Sequence, residues 1–126
     1  MSGPSASVAV ADSGAPVQLL PAHRFTIAQL TAAYNQTRVD YLVPMPMNAA
    51  RLAEYIHVYD VDLGASVVAL EGDTPLGLAM LGVRPGRSWI TRLGVLPTAR
   101  RHGVGRALME ALLETSDRRG FPFTVL

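Results

Sequence analysis

The chain of 126 residues is long enough for one domain with a substantial core, since single domains usually contain about 100–150 residues and hydrophobic residues make up 49% of the sequence. Its 11 Lys and Arg against 10 Asp and Glu give a formal net charge of +1, which argues against a general attraction to nucleic acid or to acidic membranes. Because it contains no cysteine, disulfides, thiolate metal sites and a cysteine nucleophile are excluded.

The beginning of the sequence gives no sign of export. Residues 1–16 are mainly Ser, Ala, Gly, Pro and Val and show neither a helical nor a strand period, so we predict a disordered N-terminal tail over 1–16 and a single domain over 17–126. The tail lacks the basic start and the apolar core of a signal peptide. No apolar run approaches the ~20 residues of a membrane span. We therefore expect a cytoplasmic protein.

The domain opens with a short strand and a helix. Residues 17–20 are apolar enough for a strand. Thr26 is followed three residues later by Gln29, the spacing of a capping box, which predicts that a helix starts there. The apolar stripe of this helix consists of Ile27, Leu30 and Tyr34.

A loop and a second helix come next. Residues 41–47 contain two prolines and cannot continue a helix. Asn48 is placed to cap a helix that follows, because its side chain can accept a hydrogen bond from a free backbone N–H. Apolar residues recur there at i, i+3, i+4 and i+7, and we assign Tyr55 and Tyr59 of this stripe to the core.

The second half has the pattern of a strand meander followed by a helix. The three strand candidates, separated by turns, are residues 66–70, 76–83 and 88–96. A helix over 103–119 ends at Gly120, and a last strand starts at Phe121. Because a strand–helix–strand crossover brings its two strands parallel, these elements predict an α/β fold of α+β layers, a mixed sheet with flanking helices.

The segment between the third strand and the helix carries the chemical signal. Gly103 and Gly105 stand at the start of the helix, where the absence of a Cβ lets backbone N–H groups face outward. The first N–H groups of a helix have no internal partner, and the helix dipole favours an anion there. Positive charge around the same point comes from Arg100, Arg101, His102 and Arg106. These features predict an anion site that suits a pyrophosphate.

Two other phosphate-binding loops do not fit these residues. A Walker A loop requires Lys and then Ser or Thr after its last glycine, whereas Gly105 is followed by Arg106 and Ala107. The dinucleotide fingerprint requires a third glycine where Leu108 stands. Both loops are therefore set aside.

The arrangement Val95-x-Pro97-x-x-Arg100-x-x-Gly103-x-Gly105, placed between a strand and a helix, resembles motif A of the GCN5-related N-acetyltransferases. The resemblance covers about residues 17–126 and is strongest from 93 to 108. It implies an acyl-CoA N-acyltransferase-like fold, which in this sequence lacks the last strand–helix–strand elements of the domain. It also implies acetyl-CoA as acetyl donor, no metal, and an acceptor amine that attacks the thioester directly.

The resemblance further implies where the cofactor binds. The backbone at Leu93 and Val95 would pair with the pantetheine arm, and a bulge near Gly94 would open the gap for the thioester. A backbone N–H at that bulge would polarise the thioester carbonyl. The pyrophosphate would be held by the turn and the first residues of the helix, namely Arg100, Arg101, His102, Gly103, Val104, Gly105, Arg106 and Ala107. The acceptor would contact the loop residues Tyr41, Met45 and Met47.

Two parts of the family's chemistry are missing from the sequence. Many members carry a Glu on the third meander strand as general base, and residues 88–93 contain no carboxylate. The family's usual general acid, a Tyr, would lie beyond Leu126. The catalytic residues therefore stay unassigned, and the remaining candidates for a base are His57, Asp60, Asp62 and Glu71.

Two functions stay open at this point. One is an acetyl-CoA-dependent N-acetyltransferase acting on a primary amine, whose natural chain extends beyond Leu126; the other is a catalytically incomplete CoA-binding module that acts as a sensor or partner subunit. The net charge and the absence of interleaved aromatics disfavour nucleic acid as a partner. Because the strand from Phe121 would leave an apolar edge unpaired, we expect self-association or a second polypeptide that covers it.

Overall fold

The computed structural model describes residues 8–10, 16–39 and 46–121, which are organised around one antiparallel sheet. Its strands pair with their neighbours in chain order and are β1 (Val8–Val10), β2 (Pro16–Pro21), β3 (Val67–Glu71), β4 (Thr74–Arg84) and β5 (Arg87–Val95). Two helices, α1 (Ile27–Gln36) and α2 (Ala49–Val58), connect β2 to β3, and α3 (Val104–Arg118) follows β5. The predicted α/β architecture is confirmed.

The helix boundaries follow from local side-chain chemistry. Thr26 Oγ1 accepts from the N–H of Gln29 at 3.1 Å, while Gln29 Oε1 accepts from the N–H of Thr26 at 2.8 Å, so the predicted capping box starts α1. Asn48 Oδ1 accepts from the N–H of Arg51 at 2.8 Å and starts α2. After α3 the chain turns at Gly120, whose φ of +68° favours glycine.

The sheet separates two apolar cores. On one face α3 packs against the strands through Val17, Leu19, Ala69, Leu81, Val95, Val104, Leu108 and Leu112. On the other face α1 and α2 pack through Leu30, Ala33, Tyr34, Leu52, Val68, Leu78 and Met80. Successive strand residues point to opposite faces. Because helices cover both faces of β3 and β4, nearly all residues of these two strands are buried and apolar.

A β-bulge changes the alternation in β5. Met80 pairs with Arg92 and Leu81 pairs with Ile90, so Thr91 is an extra residue without a partner in β4. A one-residue shift moves side chains to the other face. Ile90 accordingly packs into the core under α3, whereas Arg92, two residues later, stacks on tyrosines of α1 and α2. The resemblance had placed this bulge near Gly94; it lies three residues earlier.

The N-terminal boundary also needs a correction. The predicted disordered tail of residues 1–16 includes β1, which pairs with β2, and β2 itself begins at Pro16. Residues 1–7 and 11–15, and residues 122–126 of the predicted last strand, lie outside the described part of the chain. In the ranges described, none of the helices combines the length and apolarity that would let it cross a membrane.

Candidate active site

The segment from β5 to α3 turns sharply through two residues with left-handed backbone. A short 3-10 turn over Pro97–Ala99 leaves the strand. Arg101 then has a φ of +68° and Gly103 a φ of +82°. Glycine adopts this conformation without strain, whereas the same conformation at Arg101 costs about 1–2 kcal/mol. The turn brings the start of α3 beside the end of β5.

Helix α3 starts without a side-chain cap, unlike α1 and α2. Its N-cap is Gly103, whose carbonyl accepts from the N–H of Ala107 at 3.0 Å. The N–H groups of Val104, Gly105 and Arg106 therefore have no acceptor within the helix. These three donors and the positive end of the helix dipole face the turn that contains Arg101, and an anion with several oxygen atoms would satisfy them.

The two glycines leave room at this helix start. A Cβ added to Gly103 would meet no atom within 4 Å, and one added to Gly105 would lie 3.5 Å from Val95 Cγ2, an ordinary contact. Gly103 is needed for its backbone conformation. Packing within the protein does not require glycine at 105.

The side chain of Arg100 has an architectural role. Its Nε donates to the carbonyl of Val95 at 3.1 Å, and its Nη2 donates to the carbonyl of Thr37 at 3.2 Å. The guanidinium thereby ties the end of β5 to the end of α1. The sequence placed this charge beside the anion, but the structure directs it to the backbone of the protein itself.

The end of β5 fits the predicted path of the pantetheine arm. Among the described strands β5 lies at the edge of the sheet. Leu93 is 37% exposed and points, like the buried Val95, toward α3. Gly94 faces the other way, and a Cβ there would lie 2.6 Å from Thr37 Oγ1. No side chain larger than glycine fits between this strand and α1.

A cavity of about 380 Å³ opens on the side of the sheet that carries α1 and α2. It is lined by Tyr34, Arg38, Pro46, Met47, Arg51, Glu54, Tyr55, Val58, Tyr59 and Arg92. Met47, which the sequence predicts to contact the acceptor, lines this cavity, and Asn35 fixes its backbone through two hydrogen bonds of 2.8 Å. The other predicted acceptor residues, Tyr41 and Met45, lie outside the described residues.

Tyr55 links α2 to the bulge. Its hydroxyl donates to the carbonyl of Thr91 at 3.0 Å, and its burial raises the pKa of this hydroxyl. Its ring lies 4.7 Å from the ring of Tyr59, which is 47% exposed. Assigning Tyr59 to the core was therefore wrong, and Tyr55 is shared between the core and the cavity. An apolar stripe at helical spacing does not show whether a residue faces the core or a cavity.

The sequence interpretation missed several residues that line the cavity, among them Arg51, Glu54 and Arg92. Glu54 and Tyr55 follow Arg51 on α2 by three and four residues, and this spacing was the available signal. The position of Arg92 could not be predicted from the sequence, because the bulge determines which face of the sheet its side chain occupies. Of the residues described as lining the cavity, Glu54 is the one carboxylate.

The base candidates from the sequence lie elsewhere. Asp60 pairs with Arg84 at 2.5 Å, and Asp62 pairs with Arg119 at 3.3 Å. Neither lines the cavity, and the same holds for His57 and Glu71. Within the described ranges, no group of three or more His, Cys, Asp or Glu residues is positioned to hold a metal ion.

Comparison with known proteins decides the family. A sequence profile described as the Acetyltransferase (GNAT) family matches residues 28–126. The chain belongs to the GNAT family. This match covers most of the chain and includes β5, the turn and α3. No curated protein sequence matches the chain.

Solved structures of GNAT proteins share the fold. A GCN5-related N-acetyltransferase from Sphaerobacter thermophilus is 18% identical with a TM-score of 0.68 over 99% of this chain. The ribosomal-protein-S18-alanine N-acetyltransferase from Escherichia coli is 18% identical with a TM-score of 0.63 over 82%. The protein yncA from Salmonella typhimurium, solved with its cofactor acetyl-CoA, is 20% identical with a TM-score of 0.60 over 83%. This chain spans 39%, 61% and 65% of those three structures.

Proposed function

We propose that this GNAT protein transfers an acetyl group from acetyl-CoA to a primary amine. The observation that carries the proposal is the start of α3 on Gly103, with three helix N–H donors and no side-chain cap, within the motif of the family. The structural neighbour yncA holds acetyl-CoA, which supports the same donor here.

The cofactor site in this proposal comprises the predicted residues of β5, the turn and the first turn of α3. The N–H groups of Val104, Gly105 and Arg106 bind the pyrophosphate, with the exposed side chains of Arg101 and Arg106 adding positive charge. His102, Gly103 and Ala107 complete this cradle through their backbones, together with the backbone of Arg100. The pantetheine arm pairs with β5, the edge strand of the described sheet, at Leu93 and Val95, beside Gly94.

When bound, acetyl-CoA supplies a thioester whose carbonyl carbon receives the amine. A new C–N bond forms as the C–S bond breaks, and the proton that the amine loses balances the charge of the departing thiolate. The amine must be deprotonated to attack, which requires a base or a water path to the solvent. The cavity between α1, α2 and β5 lies beside the bulge, and in this proposal the amine approaches from there. The catalytic residues remain unassigned.

The alternative is a CoA-binding module without catalysis. It is favoured by the absence of a carboxylate from β5, where many members of the family carry a glutamate. Acetyl-CoA binding without transfer to any amine of a broad panel would support this alternative. Self-association through residues 123–126 stays a prediction, since these residues lie outside the described part.

The experiment for the proposed function compares Gly103→Glu with Gly120→Glu. Both glycines have left-handed backbone, with φ of +82° and +68°, and a Cβ at either meets no atom within 4 Å. Both variants should therefore lose similar stability. Only Gly103→Glu places a carboxylate beside the free helix N–H groups, and we expect it to abolish acetyl-CoA binding in calorimetry. Wild-type affinity in Gly103→Glu would refute the assignment of the anion site.

A further inference from the structure

Arg92 occupies an unusual position for a charged side chain. Its guanidinium carbon lies 5.9 Å from the ring centre of Tyr34 and 5.3 Å from that of Tyr55, so two aromatic rings hold it. Its Nε is buried and finds no hydrogen-bond acceptor among the residues that the structure describes. Among the described residues no carboxylate pairs with it. A buried donor without an acceptor costs free energy, and the cost is larger when the group is charged.

The β-bulge places this guanidinium on the cavity side of the sheet. In a regular strand without the bulge, Arg92 would share the face of Ile90, which packs into the core under α3. With it, Arg92 shares a face with Gly94 and lines the cavity. The hydroxyl of Tyr55 holds the carbonyl of the bulged residue at 3.0 Å. Strand and helix therefore fix together the direction in which Arg92 points.

The side chains described around the cavity carry a net positive charge, like Arg92 itself. Among the described residues its lining contains Arg38 and Arg51 in addition to Arg92, against the one carboxylate of Glu54. The remaining lining is largely aromatic or apolar, and three tyrosines contribute to it. An arginine in such surroundings binds a planar anion well, because its N–H groups match the two oxygens of a carboxylate.

We infer that the acceptor of this enzyme is a small amine that also carries a carboxylate, and that Arg92 binds this carboxylate. The inference rests on the proposed acetyl transfer and specifies its acceptor class. The unpartnered Nε of Arg92 gains an acceptor when such a molecule binds. The tyrosine rings provide an apolar surface for the rest of the molecule, and about 380 Å³ is room for a molecule of amino-acid size.

The test uses L-phenylalanine and L-phenylalaninamide, which differ only in the carboxylate. We expect the full chain to bind the acid on the order of ten- to hundredfold more tightly than the amide, the usual effect of a hydrogen bond to a charged group. The amine of the amide is the less basic of the two and reacts more readily. A preference for the acid in kcat/KM therefore cannot come from the reactivity of the amine.

Arg92→Gln should remove the preference, and Arg92→Lys should retain part of it, since Lys keeps the charge without the planar fork. The matched control is Arg87→Gln. Arg87 lies on the same strand and its guanidinium carbon stacks 5.1 Å from the ring centre of Trp89, but it does not line the cavity. This control should keep the full preference. A thermal melt establishes that each variant is folded.

Calorimetry of the two probes, with and without CoA, separates this inference from the proposed function. Failure of acetyl-CoA to bind would refute the acetyl transfer, whereas the preference of the cavity for the acid is measured without any turnover. Equal binding of acid and amide by the wild-type chain would overturn the inference, even if Arg92→Gln does not fold. An undiminished preference in a folded Arg92→Gln would overturn it as well.

Discussion

At the residue scale, the arginines of the segment between β5 and α3 differ in what they contact. Arg100 bonds two backbone carbonyls and holds β5 against α1. Arg106 is exposed in the first turn of α3, and no partner for its side chain is present among the described residues. Both are arginines in the same short segment, so composition does not distinguish them. The difference lies in what each guanidinium faces.

This difference predicts opposite outcomes for two substitutions. Arg100→Gln removes hydrogen bonds from a charged group and should lower the free energy of unfolding by about 1.5–3 kcal/mol. Arg106→Gln should change that free energy by less than about 0.5 kcal/mol and weaken acetyl-CoA binding. Urea denaturation and calorimetry measure the two quantities. An Arg100→Gln protein of wild-type stability would contradict the architectural role of Arg100.

At the element scale, α2 is held to the sheet by few contacts. Leu52 is its one buried side chain, while Val58 and Tyr59 are 52% and 47% exposed. The hydroxyl of Tyr55 adds a directed bond to the carbonyl of Thr91 in β5. One face of α2 therefore lines the cavity and is not packed into the core. The hydrogen bond from Tyr55 to Thr91 holds the helix beside the bulge.

Removal of this bond should have an effect that depends on pH. Tyr55→Phe should lower the free energy of unfolding by about 0.5–1.5 kcal/mol at neutral pH. Burial raises the pKa of Tyr55 in the folded state above its unfolded value of 10.0. The stabilisation is therefore complete below a pH of about 10 and is lost as the pH rises through the folded pKa. Urea denaturation of both proteins across alkaline pH measures this difference.

Tyr59→Phe is the control for this experiment. Tyr59 lies on the same helix in contact with Tyr55, and in the described part of the chain its hydroxyl has no hydrogen-bond partner. Loss of the Tyr59 hydroxyl should leave the free energy of unfolding nearly unchanged at every pH. An equal effect of the two substitutions would show that ring packing, not the bond to Thr91, holds α2 in place.

At the scale of the whole molecule, one sheet serves two cores. Leu30 of α1 and Leu108 of α3 are 1% and 0% exposed on opposite faces. Either residue changed to Ala should lower the free energy of unfolding by about 2–5 kcal/mol. Because both cores share the sheet, we expect a single transition in each variant. Far-UV circular dichroism and the fluorescence of Trp89 should follow it with the same midpoint, and separate midpoints would show that the faces unfold independently.

The sequence by itself determined where the helices begin and end and which backbone motif starts α3. Capping at Thr26 and Asn48 and the glycine after α3 are local features, decided by side chains within three or four residues, and all three are present as predicted. The motif through Gly103 and Gly105 is equally local, since a helix start needs only its own backbone. This is why the family could be identified from the sequence.

Only the tertiary structure decided which face each side chain occupies at the cavity. The alternation of β5 predicts that Ile90 and Arg92 share a face, and a single extra residue at Thr91 separates them. The pairing of β5 with β4 sets that bulge, and the bond from Tyr55 on α2, 36 residues away in the sequence, holds its carbonyl. Arg100 likewise reaches a carbonyl of α1, 63 residues away. Contacts across such distances depend on packing that local sequence patterns do not contain, and they are what place Arg92 in the cavity.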